Sequence, residues 1–207
     1  MRKVYLFGEI NNERTEKFIT QLHELFEESR EPITVFVNSC GGSVTDALAI
    51  YDVLQNAPCE ISTVGLGKVH SSAITVLLSA PSANRASFPN TEFMSHDVSW
   101  KSDGPRAFLK DRVDQLERTV EQLLAVYTRD TNLSREQAGA VFFRDMADHY
   151  FSAEEALEMG FVSSIITRES GQLRGTACVG LSAVEVSSVE VSSVTGEEMT
   201  AVNSSQD

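Results

Sequence analysis

Ser71 stands in the stretch Gly65-Leu-Gly-Lys-Val-His-Ser-Ser-Ala-Ile74, where a β-branched run gives way to glycines and then to a small apolar segment. That order predicts a strand, a tight glycine-containing turn, and a helix that starts at the serine. A serine there meets free backbone N–H groups and the positive end of the helix dipole, both of which favour negative charge. Acyl transfer needs such a place, because an oxyanion develops beside the attacking hydroxyl. The position also suits a simple helix cap, which Ser71 and Ser72 could both provide. The local sequence leaves both roles open.

A second glycine-rich turn follows an earlier strand, in Asn38-Ser-Cys-Gly-Gly-Ser43. Adjacent glycines let the backbone approach a ligand closely and aim its N–H groups. They serve equally in a turn that needs positive φ. If the two strands are parallel neighbours, their C-terminal ends lie side by side, at the edge where such sheets bind ligands. The Gly42 and Ser72 N–H groups could then act as two donors to one oxyanion.

A serine nucleophile needs a base near neutral pKa, and imidazole fits best. The chain has four histidines. His23 falls on the polar side of the first predicted helix. His70 adjoins Ser71 and is too close along the chain to fold back as its base. His149 is a weaker competitor. His96 follows Pro89-Asn-Thr-Glu-Phe-Met-Ser95, a predicted short strand, and is the preferred base. The base in turn needs an orienting acceptor, which Asp148 could supply.

These residues require a scaffold that gathers strand ends. Val4 to Gly8 reads as a strand, and Asn11 or Asn12 can cap the helix after it. Phe18, Leu22, Leu25 and Phe26 recur at helical spacing. Pro32 breaks the chain before Ile33-Thr-Val-Phe-Val37, a β-branched run typical of a buried strand. Val44, Ala47, Leu48, Tyr51 and Leu54 mark a second helix, and Ile61 to Gly65 a third strand. Ala73, Ile74, Val76, Leu77 and Leu78 belong to a third helix. This alternation implies an α/β fold with parallel strands, crossovers, and helices packed on the sheet.

Residues 105–130 differ. Leu109, Val113, Leu116, Val120, Leu123 and Tyr127 alternate spacings of four and three on an otherwise charged helix. So narrow a seven-residue stripe suits a projecting helix that pairs with another helix. We read it as an oligomer contact, with a peripheral amphipathic helix as the alternative.

The length of 207 residues suits one domain, and the net charge of −13 argues against nucleic-acid or anionic-membrane partners. No stretch approaches the ~18 apolar residues of a membrane span. The start of the chain shows no secretory signal. Cys40, Cys59 and Cys178 match no metal spacing, and an odd number leaves one unpaired, so a reducing cytoplasmic setting is expected. Cys40 beside Gly41 is read as a small buried residue, with a reactive thiol as the alternative. From residue 170 the chain turns to Ser, Val and Glu. Val184-Glu-Val-Ser-Ser188 is repeated as Val189-Glu-Val-Ser-Ser193, and 170–207 is expected to be a disordered tail after a 1–169 domain.

Taken together, the motifs resemble those of the proteolytic subunit of the ATP-dependent Clp protease, the ClpP family, from about Val4 to Ile166. Asn38-Ser-Cys-Gly-Gly-Ser-Val-Thr45 is similar to the family's Asn-Ser-Pro-Gly-Gly stretch, with Cys40 where proline is usual. Ala49-Ile-Tyr-Asp52 is similar to the helix that follows. Gly67-Lys-Val-His-Ser-Ser-Ala73 resembles Gly-x-Ala-Ala-Ser-Met-Gly, which matches Ser71 to the nucleophile. Pro89-Asn90 with Met94 and His96 resembles Pro-Asn-Ser-x-x-Met-Ile-His, which matches His96 to the base. Phe151-Ser-Ala-Glu-Glu-Ala156 and Gly160 resemble the segment after the catalytic aspartate, which places Asp148 there, with Asp145 as the fallback.

The resemblance implies a ClpP/crotonase-like fold of repeated ββα-type units with a projecting handle helix, here 105–130. It implies a serine endopeptidase acting on unfolded polypeptide inside a closed chamber, with no cofactor and no metal. It also implies a homo-oligomer of heptameric rings stacked as a tetradecamer, fed by a separate AAA+ unfoldase. Four departures stand out. The stretch before the first strand is short, which argues against the unfoldase here. The segment after His96 lacks the family's Gly-rich strand, and Ala73-Ile74 replaces Gly-Ala after the nucleophile. The tail has no counterpart. Two other readings remain at this point: an inactive structural subunit of a mixed ring, and a crotonase-type acyl-CoA enzyme.

Overall fold

Seven strands form one sheet in the computed structural model, which describes residues 2–99, 103–143 and 147–167. The strands are β1 (Arg2–Phe7), β2 (Ile33–Ser39), β3 (Ile61–His70), β4 (Arg85–Ser87), β5 (Glu92–Ser95), β6 (His149–Phe151) and β7 (Ser164–Ile165). The helices are α1 (Asn12–Glu28), α2 (Val44–Gln55), α3 (Ser72–Leu77), α4 (Arg106–Asp130), α5 (Arg135–Phe142) and α6 (Ala153–Glu158). The sheet runs β1-β2-β3-β4-β7, and β5 branches from β3 to carry β6. All pairings are parallel except β5 with β6. The strand-helix rhythm of the first 80 residues gave the parallel part and not this antiparallel addition.

Four of the helices open on a side-chain cap, whereas α3 and α4 do not. Asn11 accepts from the Arg14 N–H at 3.1 Å, and Ser43 accepts from the Asp46 N–H at 3.3 Å. Ser134 and Ser152 open α5 and α6 with reciprocal capping boxes. The main core joins Val4, Leu6, Val35 and Val37 of the sheet to Phe18, Leu22, Ile50, Leu54, Ile74 and Leu77 of the helices. A smaller cluster of Phe36, Val64 and Ile166 gathers Leu66, Ala86 and Phe88 around it.

One difference from the expected pattern builds the site. The glycine segment after Gly65 is not a turn; β3 continues to His70. Thr63 to Gly65 pair with β4, and Lys68 to His70 pair with β5. The change of partner is made at Gly67, which has φ +66° and lies against the Asn38 side chain. Asn38 Oδ1 accepts from the Lys68 N–H at 3.3 Å, so β2 holds the bend. A glycine there allows a backbone shape that β-branched residues avoid.

α4 covers the expected 105–130 stripe but buries only part of it. Leu123, Leu124, Val126 and Tyr127 are in the core, whereas Leu109 and Val113 are exposed, Val113 by 53%. Its inner end is pinned to the body by the Tyr51 hydroxyl donating to Asp130 Oδ2 at 2.7 Å and by Arg85 Nη1 donating to the Asp130 carbonyl at 2.6 Å. Among the described residues, no helix is long and apolar enough to cross a membrane. The tail from residue 170, expected to be disordered, lies outside the described residues.

β5 reaches the site through Phe93, which is fully buried and stacks on Phe151 with ring centroids 5.4 Å apart. Phe93→Ala is expected to cost about 3–5 kcal/mol by leaving a cavity under this strand. Phe93→Leu, which keeps more volume, should cost clearly less. Urea unfolding of the two variants at equal protein concentration measures the difference.

Candidate active site

Ser71 joins β3 to α3 with φ 53° and ψ −128°. Among the described residues it is the only non-glycine with positive φ. Such a backbone costs about 1–3 kcal/mol and persists only where its surroundings over-determine it. They do so here. The Ser71 N–H donates to the Met94 carbonyl on β5 at 2.7 Å. On the other side, a Cβ added to Gly41 would lie 2.6 Å from the His70 carbonyl oxygen and 2.8 Å from Ser71 Cβ. The serine is thus wedged between two strand ends. Its side chain makes no capping bond to α3. The helix-cap role that the sequence left open is therefore not the one Ser71 plays.

Gly42 is fixed just as closely. It bridges Ile10, and a Cβ on it would come 2.2 Å from the Ile10 carbonyl oxygen. The Ser72 hydroxyl donates to the Gly42 carbonyl at 3.2 Å and ties the two turns together. Neither the Gly42 N–H nor the Ser72 N–H has a hydrogen-bond partner among the described residues. Both residues line a cavity of about 280 Å³ that also contains Ser71 and His96. Unpaired amides beside an uncapped hydroxyl can receive a developing oxyanion.

The aromatic side of this cavity was not foreseen from sequence. Tyr127, Phe142 and Phe143 line it together with Leu123 and Val98. Tyr127 and Phe142 stack with centroids 3.8 Å apart, and the Tyr127 hydroxyl lies 3.0 Å from Thr75 Oγ1. Burial pushes the Tyr127 phenol up to about 12, so it remains neutral. Cys40 also departs from expectation. It is exposed and lines the cavity rather than filling the core, because β2 ends at Ser39 and the chain turns at Gly41 with φ +79°.

His96 follows β5 directly and is half-buried. Asp148 precedes β6 and is exposed. β5 and β6 pair Met94 with Tyr150 and Ser95 with His149. The ladder ends there; continued by one position it would set His96 across from Asp148. No hydrogen bond joins Ser71, His96 and Asp148 among the described residues, and Asp148 does not line the cavity. Its Oδ2 lies 3.4 Å from the Tyr150 hydroxyl instead. Asp145, the alternative acid, lies outside the described residues. His23 is exposed on α1, and its ring lies 6.0 Å from that of Phe26, far along the chain from this edge.

His70, set aside as the base for its closeness to Ser71 along the chain, faces Glu92. Its Nε2 lies 3.1 Å from Glu92 Oε1, its side chain is only 11% exposed, and it does not line the cavity. That contact lacks the alignment of a hydrogen bond. Burial lowers the His70 pKa below its ordinary 6.5, against the opposing pull of Glu92.

The family model for Clp protease matches residues 1–169. A relative from Pseudomonas aeruginosa, the ATP-dependent Clp protease proteolytic subunit 2, is 31% identical over 169 residues, covering 82% of this chain and 83% of that protein. The protein of the same name from Thermobifida fusca is 34% identical over 167 residues, covering 80% and 81%. Among solved structures, a mutant of ClpP1 from Listeria monocytogenes superposes with a TM-score of 0.72 at 33% identity, covering 82% of this chain and 94% of that one.

The depressed His70 pKa has a consequence for stability. Below about 6.5 the unfolded chain takes up a proton more readily than the folded one, so stability present above that pH is lost as pH falls through the folded value. The melting temperature should fall between pH 7.5 and pH 5, and the fall should be shallower in His70→Phe. Parallel slopes in the two proteins would assign the acid sensitivity to other groups.

Proposed function

The chain belongs to the Clp protease family, and we propose that Ser71, His96 and Asp148 make it a serine endopeptidase that cleaves unfolded polypeptide within an oligomeric chamber. The observation that carries this is the backbone of Ser71. A strained, uncapped serine is held beside two unpaired amides in one cavity with an imidazole. None of these features serves the fold by itself. Strain of this kind at a cavity suits a nucleophile.

The chemistry follows from the positions. Ser71 Oγ attacks the peptide carbonyl carbon while His96 takes the hydroxyl proton. The carbonyl oxygen becomes an oxyanion and accepts from the Gly42 and Ser72 N–H groups. As the C–N bond breaks, His96 returns that proton to the leaving amine. Water then enters, gives a proton to His96, and attacks the acyl-serine, and collapse of this second adduct returns the proton to Ser71. Asp148 orients the imidazole and stabilises its charged form. The reaction consumes one water and needs no cofactor.

The exposed outer stretch of α4, with Leu109 and Val113 uncovered, supports assembly through that helix. Heptameric rings stacked in pairs are the assembly we infer, with a cytoplasmic site of action. The relatives' names, ATP-dependent proteolytic subunits, support an AAA+ unfoldase as the supplier of substrate. Nothing in the site favours a crotonase-type acyl-CoA reaction.

A fluorophosphonate probe applied to the assembled protein should label wild type at Ser71 and leave Ser71→Ala unlabelled. Because the residues act as a unit, His96→Ala should lose a comparable factor in peptide hydrolysis, about 10³-fold or more. Equal labelling of wild type and Ser71→Ala would refute the assignment.

A further inference from the structure

The carboxylate of Asp148 has a neighbour that the motif left aside. Tyr150 follows it by two residues on the approach to and along β6, so the two side chains leave the same side of the strand. Tyr150 is the register partner of Met94, and Met94 is the register partner of His70. The three form a row across three strands. At the ends of that row the Tyr150 ring meets the His70 ring edge-on, with centroids 6.0 Å apart and planes at 89°. His70 is buried and faces Glu92, so it is a fixed seat. Tyr150 itself is 58% exposed, yet its ring is held from below.

From that seat the phenol reaches Asp148 Oδ2 at 3.4 Å. A carboxylate has about four acceptor positions over two oxygens. A donor on Oδ2 therefore leaves Oδ1 for an imidazole. The Asp148 charge pushes the Tyr150 phenol up, which keeps the hydroxyl protonated as a donor. The contact is long, as catalytic hydrogen bonds commonly are before substrate binds.

We propose that Tyr150 is a positioning residue for Asp148: its ring, seated on His70, aims its hydroxyl at Oδ2 and holds the carboxylate at the register position facing His96. This rests on the assignment of Ser71, His96 and Asp148 made above. It links the strand that delivers the nucleophile to the residue that orients the base. Tyr150 does not touch substrate and acts only through Asp148.

The experiment compares peptide hydrolysis by the assembled full-length protein in wild type, Tyr150→Phe, Asp148→Asn and the double variant. Phenylalanine keeps the ring on His70 and removes only the hydroxyl. Tyr150→Phe should lower kcat roughly three- to tenfold with KM unchanged, the range expected for loss of a long, exposed bond to a charged group. In the Asp148→Asn background the same change should have no further effect. Wild-type kcat in Tyr150→Phe, a change in KM alone, or an equal loss in both backgrounds would overturn the proposal. With any of these, a severe loss in Asp148→Asn would still uphold the triad. Wild-type activity in Asp148→Asn would instead remove the triad acid, and the role of Tyr150 with it.

Discussion

The hydrogen bond from the Ser71 N–H to the Met94 carbonyl, 2.7 Å long, is the contact on which the remaining geometry depends. It fastens the end of β3 to β5 at the moment the chain adopts its one unfavourable non-glycine backbone among the described residues. Without it, Ser71 would relax toward an ordinary strand-to-helix turn and its hydroxyl could cap α3. The glycines at 41 and 42 complete the restraint from the opposite side, because any Cβ there would enter the space of His70, Ser71 or Ile10. The strain is small beside the burial around it. Fully buried Val69, Ala73 and Ile74 flank the serine, and such side chains contribute about 1.5–3 kcal/mol each for the larger of them.

The site therefore has two halves of different character. The nucleophile and the two amides are set by backbone contacts where the ends of β2 and β3 meet the core. The base and acid are set by a three-residue antiparallel ladder at the margin of the sheet, and Asp148 is exposed beyond its end. Protein regions with few buried contacts open at lower free energy than the core. The relative placement of His96 and Asp148 is consequently the softer part, and the absence of a hydrogen bond between them fits that division of rigidity.

Much of this was legible in the sequence because the signals were local. Asn11, Pro32 and the apolar spacings of α1 and α2 act within a few residues, and the structure follows them. The two glycine turns were read as converging at one sheet edge, and Ser71, Ser72, Gly42 and His96 do share a cavity. What escaped was set by contacts distant along the chain. β3 runs through Gly67 because Asn38, 30 residues away, accepts from Lys68. Cys40 looks like a small core residue by type, but its side chain is placed by a backbone turn that composition does not reveal. Tyr150 is separated by 80 residues from His70, so no spacing in the sequence announces that they touch.

The long helix shows how the same apolar pattern can carry two outcomes. Its stripe keeps one period from Leu109 to Tyr127, yet Tyr127 meets Phe142 in the wall of the cavity while Leu109 and Val113 face outward. The inner part is held by Tyr51 and Arg85 on Asp130, and its aromatic residue borders the cavity that holds Ser71. One rigid element thus has its exposed apolar surface at one end and a wall of the cavity at the other.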